Sequence, residues 1–180
     1  LYYPDNPHYQ AWQYISSMFM HADLPHLLFN MLGLWMFGLA LERLWGSARF
    51  LLFYLLCGLG AGVIYNMINT YQFNGLTHQM QALGLAATDM QRILDEGVYR
   101  TAIEGLTEAL ATEYYQFYHT PTVGASGAIY GILVAYAFCF PNRKFALLII
   151  PYPIAAKYFV PLILLTDLMS GITGFSIFGS

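Results

Sequence analysis

The chain has 180 residues, 58% of them apolar and 9% charged, with a formal charge of −3 and a mean hydropathy of +0.50. Soluble domains carry roughly 25% charged residues. A disordered or nucleic-acid-binding protein is therefore excluded, and the small negative charge gives no reason to expect an anionic partner. Cys57 and Cys139 both fall inside apolar runs, so no disulfide framework is expected.

Residues 1–24 carry Tyr2, Tyr3, Tyr9, Trp12, Tyr14 and Phe19, with Pro4 and Pro7 forcing turns. Rings with polar tips favour the headgroup layer, which predicts an interface-lying segment. The apolar run 27–41 follows, with Asn30 as its one strongly polar side chain, and reaches spanning length when extended from Pro25 to Leu44. The second run, 50–68, contains only Asn66, and its Gly58, Gly60 and Gly62 suggest close helix packing. Residues 75–117 form the one water-soluble island, with six acids against two bases and apolar residues at helical spacing (Met90, Ile93, Leu94; Ile103, Leu106, Leu110). One or two external amphipathic helices, interrupted near Gly97 and Gly105, are expected there. The third run, 123–140, contains Ser126. The fourth, 154–172, is interrupted by Lys157, Thr166, Asp167 and Ser170.

Four such runs predict an all-α, multi-pass membrane protein rather than a large soluble helical core. Linkers 42–49 and 141–157 share one side and hold Arg43, Arg49, Arg143, Lys144 and Lys157, five of the seven bases. The positive-inside rule makes those linkers cytoplasmic, and 1–25 and 69–122 external.

Polar side chains inside spans are expensive and face the protein interior or water. His26 and Asn30 are four apart, hence on one helical face. Ser126 lies near the outer end of a second span running the same way, so the three groups converge if the helices are neighbours. Free N–H groups at a helix start, with Asn30 and His26 as further donors, suit a developing oxyanion. The competing reading is packing: Gly127 and Gly131 form a G-x-x-x-G contact motif, Asn30 suits an interhelical hydrogen bond, and His26 suits a headgroup layer. The residues alone leave both readings open. G-x-S-x-G is not met, because Ala128 replaces the last glycine, and His21 and His26 do not form H-E-x-x-H.

Taken together, His21-Ala-Asp-Leu-Pro-His26-Leu-Leu-Phe-Asn30 resembles the H-x4-H-x3-N segment of the rhomboid intramembrane serine proteases. Gly124-Ala125-Ser126-Gly127 is similar to their G-x-S-G motif. Leu41-Glu42-Arg43-Leu44-Trp45-Gly46, followed by Arg49-Phe50, is similar to the linker after their second span. The resemblance covers nearly the whole chain except 75–117. It implies one rhomboid-like polytopic helix bundle over 1–180, with four of six core spans present and the island as an external insertion.

It further implies a serine endopeptidase of a multi-pass, bacterial inner-membrane type, cleaving transmembrane protein substrates in the lipid bilayer without metal or organic cofactor. Ser126 would be the nucleophile. Asn30, His26 and Gly124, with the Ser126 N–H, would bind the oxyanion. The family's general base is a histidine on the sixth span. His8, His78 and His119 are expected in loops, and His21 precedes its span. The base is therefore expected beyond Ser180, and residues 1–180 alone are expected to be inactive. A non-catalytic rhomboid-like protein that binds transmembrane clients is the alternative. A small-solute transporter is weaker, since no paired repeat is visible.

Overall fold

The computed structural model describes residues 1–97, 105–147 and 150–173. After a turn-rich start come α1 (Gln13–Ser16) and a 3-10 turn (Ser17–Phe19). A continuous helical stretch, Leu24–Trp45, holds α2 (Leu24–Gly33), a wider π turn (Leu34–Gly38) and α3 (Leu39–Trp45). The 36-residue α4 (Ser47–Ala82) is followed by α5 (Ala87–Glu96), α6 (Glu108–His119) and α7 (Ser126–Cys139). A hairpin of β1 (Lys144–Leu147) and β2 (Ile150–Ala155) then leads into α8 (Ala156–Thr173).

The fold is helical, as the apolar runs predict, and the greater part of each run lies in a helix. Their ends differ from the expected ones for local reasons. The linker 42–49 shrinks to Gly46, whose φ of 81° and ψ of 153° no other residue type adopts readily. Helix continues on both sides of it, and Ser47 Oγ donates to Glu42 Oε1 at 2.7 Å. The linker 141–157 is no plain loop: β1 and β2 pair antiparallel, Lys144 opposite Ala155 and Phe145 opposite Ile154. Pro151 and Pro153 are tolerated because each strand of a two-stranded ribbon keeps a free edge. His78 and His119 lie in α4 and α6, not in loops. Arg100 and Ile103 of the external island lie outside the described residues.

Among the described residues two helices, Leu24–Trp45 and Ser47–Ala82, are long and apolar enough to cross a membrane; α7, with 14 residues, is shorter. The chain packs as two compact units, Leu1–Ser17 with Gly60–Val123 and Met18–Leu59 with Gly124–Ser180.

In the first unit the described part of the acidic island has its own core. Met80, Met90, Ile93, Leu94, Ala111 and Tyr114 are buried together with Tyr3 and Phe73, whose ring stacks on Tyr114 at 4.9 Å. Gly97 ends α5 in the left-handed region, and Thr107 caps α6 by accepting from the Leu110 N–H at 3.2 Å. His119 Nε2 lies 2.6 Å from the Leu94 carbonyl oxygen, joining the end of α6 to α5. The N-terminal segment belongs to the same unit: Asn6 Nδ2 donates to the Tyr118 carbonyl at 2.8 Å, and Asn66 Nδ2 to Tyr14 Oη at 2.7 Å.

In the second unit α7 is the hub. Ala128, Ile129, Ile132, Leu133 and Tyr136 are all buried, packed with Phe37, Leu41, Phe159 and Val160. The π turn fits one extra residue into the helix and thereby turns Phe37 inward. Its ring meets Tyr136 and Phe145 at 5.1 Å each, tying the first helix, α7 and the hairpin together. Glycines set the close approaches. A Cβ at Gly33 would touch Ile129 at 3.4 Å, and one at Gly131 would run into the Cys57 side chain. The expected helix-packing role of the α4 glycines is only partly realised. Gly58 admits the Met18 side chain and Gly62 admits Tyr14, both from the N-terminal segment, while Gly60 faces nothing within 4 Å.

Overpacking of this kind costs about 1–3 kcal/mol. Gly131→Leu is therefore expected to lower the thermal midpoint of the detergent-solubilised protein by several degrees, and Gly60→Ala to leave it unchanged or raise it slightly. Differential scanning fluorimetry checks both.

Candidate active site

The site is built from two helix starts in the second unit. Asp23 caps α2: its Oδ1 accepts from the His26 N–H at 2.7 Å, with Pro25 in the first turn where no N–H is needed. This cap fixes where α2 begins and so which way His26 and Asn30, one turn later, point. Asn30 is 7% exposed, and its Nδ2 has no hydrogen-bond partner among the described residues. A buried amide left unpaired costs about 1–3 kcal/mol, so packing alone does not account for it.

The second helix start is sharper than the apolar run suggests. Residues 123–125 are not helical; α7 begins at Ser126 itself. The physical reason is Gly124, with φ of +127°, which breaks the helix one residue before its Ala125 N-cap. The first helical bond in α7 runs from the Ile129 N–H to the Ala125 carbonyl at 2.9 Å. The amides of Ser126, Gly127 and Ala128 therefore have no helical acceptor, and the positive end of the helix dipole lies at the serine.

Gly124 joins the two starts. A Cβ there would lie 2.9 Å from His26 Cε1, 3.0 Å from His26 Nε2 and 3.7 Å from Ser126 Oγ. The imidazole edge and the hydroxyl thus flank the bare α-carbon of residue 124. His26, Gly124 and Ser126 are brought together. Asn30 lies on α2 one turn from His26, buried and unpaired.

The rhomboid domain family matches residues 8–179. The chain belongs to the rhomboid family. Among its relatives, the rhomboid protease GlpG of Klebsiella pneumoniae is 32% identical over 98 residues, covering 54% of this chain and 36% of that protein. GlpG of Salmonella paratyphi A is 28% identical over 142 residues, 76% of this chain and 51% of that protein. The rhomboid protease GluP of Bacillus subtilis is 38% identical over 64 residues, 36% of this chain and 13% of that protein. The chain spans about a third to a half of the length of the GlpG proteins it matches. No solved structure matches it.

One site neighbour escapes the reading of this rhomboid sequence. His21 precedes α2, yet its ring lies edge-on to His26 with centroids 5.3 Å apart, and its Nε2 is buried without a partner among the described residues. Its place as the first histidine of H-x4-H-x3-N is the signal that could have found it.

The unpaired Asn30 amide makes a direct prediction. Asn30→Leu keeps the branched outline of the side chain and removes the unsatisfied donor. The variant is expected to be as stable as the parent, or more stable by up to about 1–3 kcal/mol. Thermal unfolding measures this. A clear loss of stability would show that the amide makes a structural bond instead.

Proposed function

We propose that this rhomboid-family protein is an intramembrane serine endopeptidase with Ser126 as its nucleophile. The observation that carries the reading is the approach of the His26 ring and the Ser126 hydroxyl to the side-chain-free Gly124, at a helix start whose first three amides have no helical acceptor. The relatives named rhomboid proteases support the same reaction class.

In the proposed reaction, Ser126 Oγ adds to the scissile carbonyl carbon of a membrane-anchored protein. The oxygen that gains charge accepts hydrogen bonds from the Ser126 amide, beside Gly124, and from Asn30 Nδ2 and a His26 ring N–H. Such donors stabilise the tetrahedral state more than the ground state. The amine then leaves with a proton, an acyl ester remains on Ser126, and water releases it. An unassisted serine is a weak nucleophile. The family pattern supplies the base from a histidine of the sixth core span, and His21 would hold the His26 ring in orientation. No metal or organic cofactor enters.

The same reading makes the protein multi-pass in a membrane of the bacterial inner type. The bases of 42–49 and 141–157 lie on the cytoplasmic side, with 1–25 and the acidic body outside. The length of α7 favours it. Fourteen residues rise about 21 Å, against a hydrocarbon core of roughly 30 Å. A helix that short begins below the outer surface when its far end reaches the inner one, which places Ser126 at depth in a cavity that water must enter from outside.

The full-length protein, reconstituted with a transmembrane substrate, tests this. Ser126→Ala is expected to lower cleavage by about 10⁴–10⁶-fold. Asn30→Ala should lower kcat by about 10²–10³-fold with KM little changed, because it removes a transition-state donor. Undiminished cleavage by Ser126→Ala would overturn the mechanism.

A further inference from the structure

The end of the second unit remote from Ser126 holds a cleft of about 550 Å³. Met36, Leu39 and Phe140 contribute apolar lining, and Arg43, Arg143 and Lys144 line it as well. Three of the seven bases of the whole chain thus border one apolar cleft, and no carboxylate is among its lining residues.

The backbone that carries the cations is held by the fold, and their three side chains are exposed. Arg43 stands in the last turn of α3. The Arg143 backbone is held on both sides: its N–H donates to the Phe140 carbonyl at 3.1 Å, and its carbonyl accepts from the Ala156 N–H at 2.9 Å. Its guanidinium carbon sits 5.8 Å from the Phe140 ring centroid. Lys144 opens β1 opposite Ala155. The nearby charges of both signs are engaged elsewhere. Glu42 accepts the Ser47 hydroxyl, and Lys157 donates to Asn142 Oδ1 at 3.1 Å and lies over the Tyr158 ring. Among the described residues, none of the three lining cations forms an ion pair with a carboxylate.

We propose that this cleft binds an anionic phospholipid, its phosphate between the two arginines and Lys144 and its acyl chains on Met36 and Leu39. One amphiphile satisfies both kinds of lining: the positive charge and the apolar side chains. A soluble phosphate would leave the apolar lining wet, and a neutral lipid would leave the cations uncompensated. The net charge of −3, which gives no hint of an anionic partner, averages over an acidic body elsewhere in the chain and hides this local excess. The inference rests on the membrane reading above, which puts these residues at the inner leaflet, where a Lys or Arg is worth roughly 1 kcal/mol against anionic lipid.

The test uses the full-length protein carrying Ser126→Ala, so no cleavage is needed. Native mass spectrometry follows titration with phosphatidylglycerol, phosphatidylcholine or inorganic phosphate. Phosphatidylglycerol is expected to bind preferentially, and Arg43→Gln/Arg143→Gln to weaken it about 25-fold, roughly fivefold per arginine. Phosphatidylcholine binding and the thermal midpoint should not change. Should the double variant fail to fold, Lys144→Gln alone is expected to cost about fivefold, and raised salt to weaken the parent protein's preference. Equal affinity for the two lipids, an unaltered affinity in the variants, or effective competition by inorganic phosphate at the same concentration would overturn the proposal. Alkaline extraction of membranes separates the two readings: release of the protein refutes the membrane placement, whereas retention without lipid preference refutes only the cleft.

Discussion

No side chain fits at position 124. With φ at +127° and an imidazole carbon 2.9 Å from where a Cβ would stand, this residue must be glycine twice over, for its backbone and for its neighbour. The rest of the candidate site depends on that one constraint. The left-handed turn stops α7 from starting three residues earlier, so Ser126 becomes the first helical residue and three amides at the helix start have no helical acceptor. The missing side chain leaves room for the His26 ring beside the serine hydroxyl. The same glycine therefore places the proposed nucleophile, its neighbouring donor and the electrostatic field of the helix end.

A site held at one point also needs its helices held further down. α7 buries Ala128, Ile129, Ile132, Leu133 and Tyr136, and small residues let other helices close on it: Ile129 lies over Gly33, and Cys57 over Gly131. At its far end the rings of Phe37, Tyr136, Phe145 and Phe159 pack together. These contacts are apolar, so the packing of α7 does not rest on the polar groups of the site. Those groups are then free to stay unpaired, as Asn30 Nδ2 and His21 Nε2 are among the described residues. Orphaned polar atoms inside a rigid apolar frame suit a protein whose hydrogen bonds are completed by a reacting group.

Helices within the runs 27–41, 50–68, 123–140 and 154–172 are legible because long apolar runs with few charges have few other solutions. His26, Asn30 and Ser126 stood out for the opposite reason, as polar groups where polarity is costly. The details that escaped were those set by single residues or by tertiary packing. Gly46 reduces an eight-residue linker to one, and Gly124 shortens α7 at its start. The hairpin at 144–155 carries two prolines and few alternating residues, so no strand pattern announced it. The partners of Gly58 and Gly62 lie in the N-terminal segment, which no helical periodicity links to α4. The acidic island shows its amphipathic face in sequence, but its core with Tyr3 and Phe73 joins residues some seventy positions apart.

The most direct measurement of the central claim is chemical. The full-length membrane-reconstituted protein is treated with a fluorophosphonate, digested, and the adduct mapped by mass spectrometry, in parallel with Gly124→Val. The account predicts a single modified serine, Ser126, and no adduct in the valine variant even where that variant stays folded. Modification at another serine, or equal labelling of Ser126 with valine at 124, would contradict it.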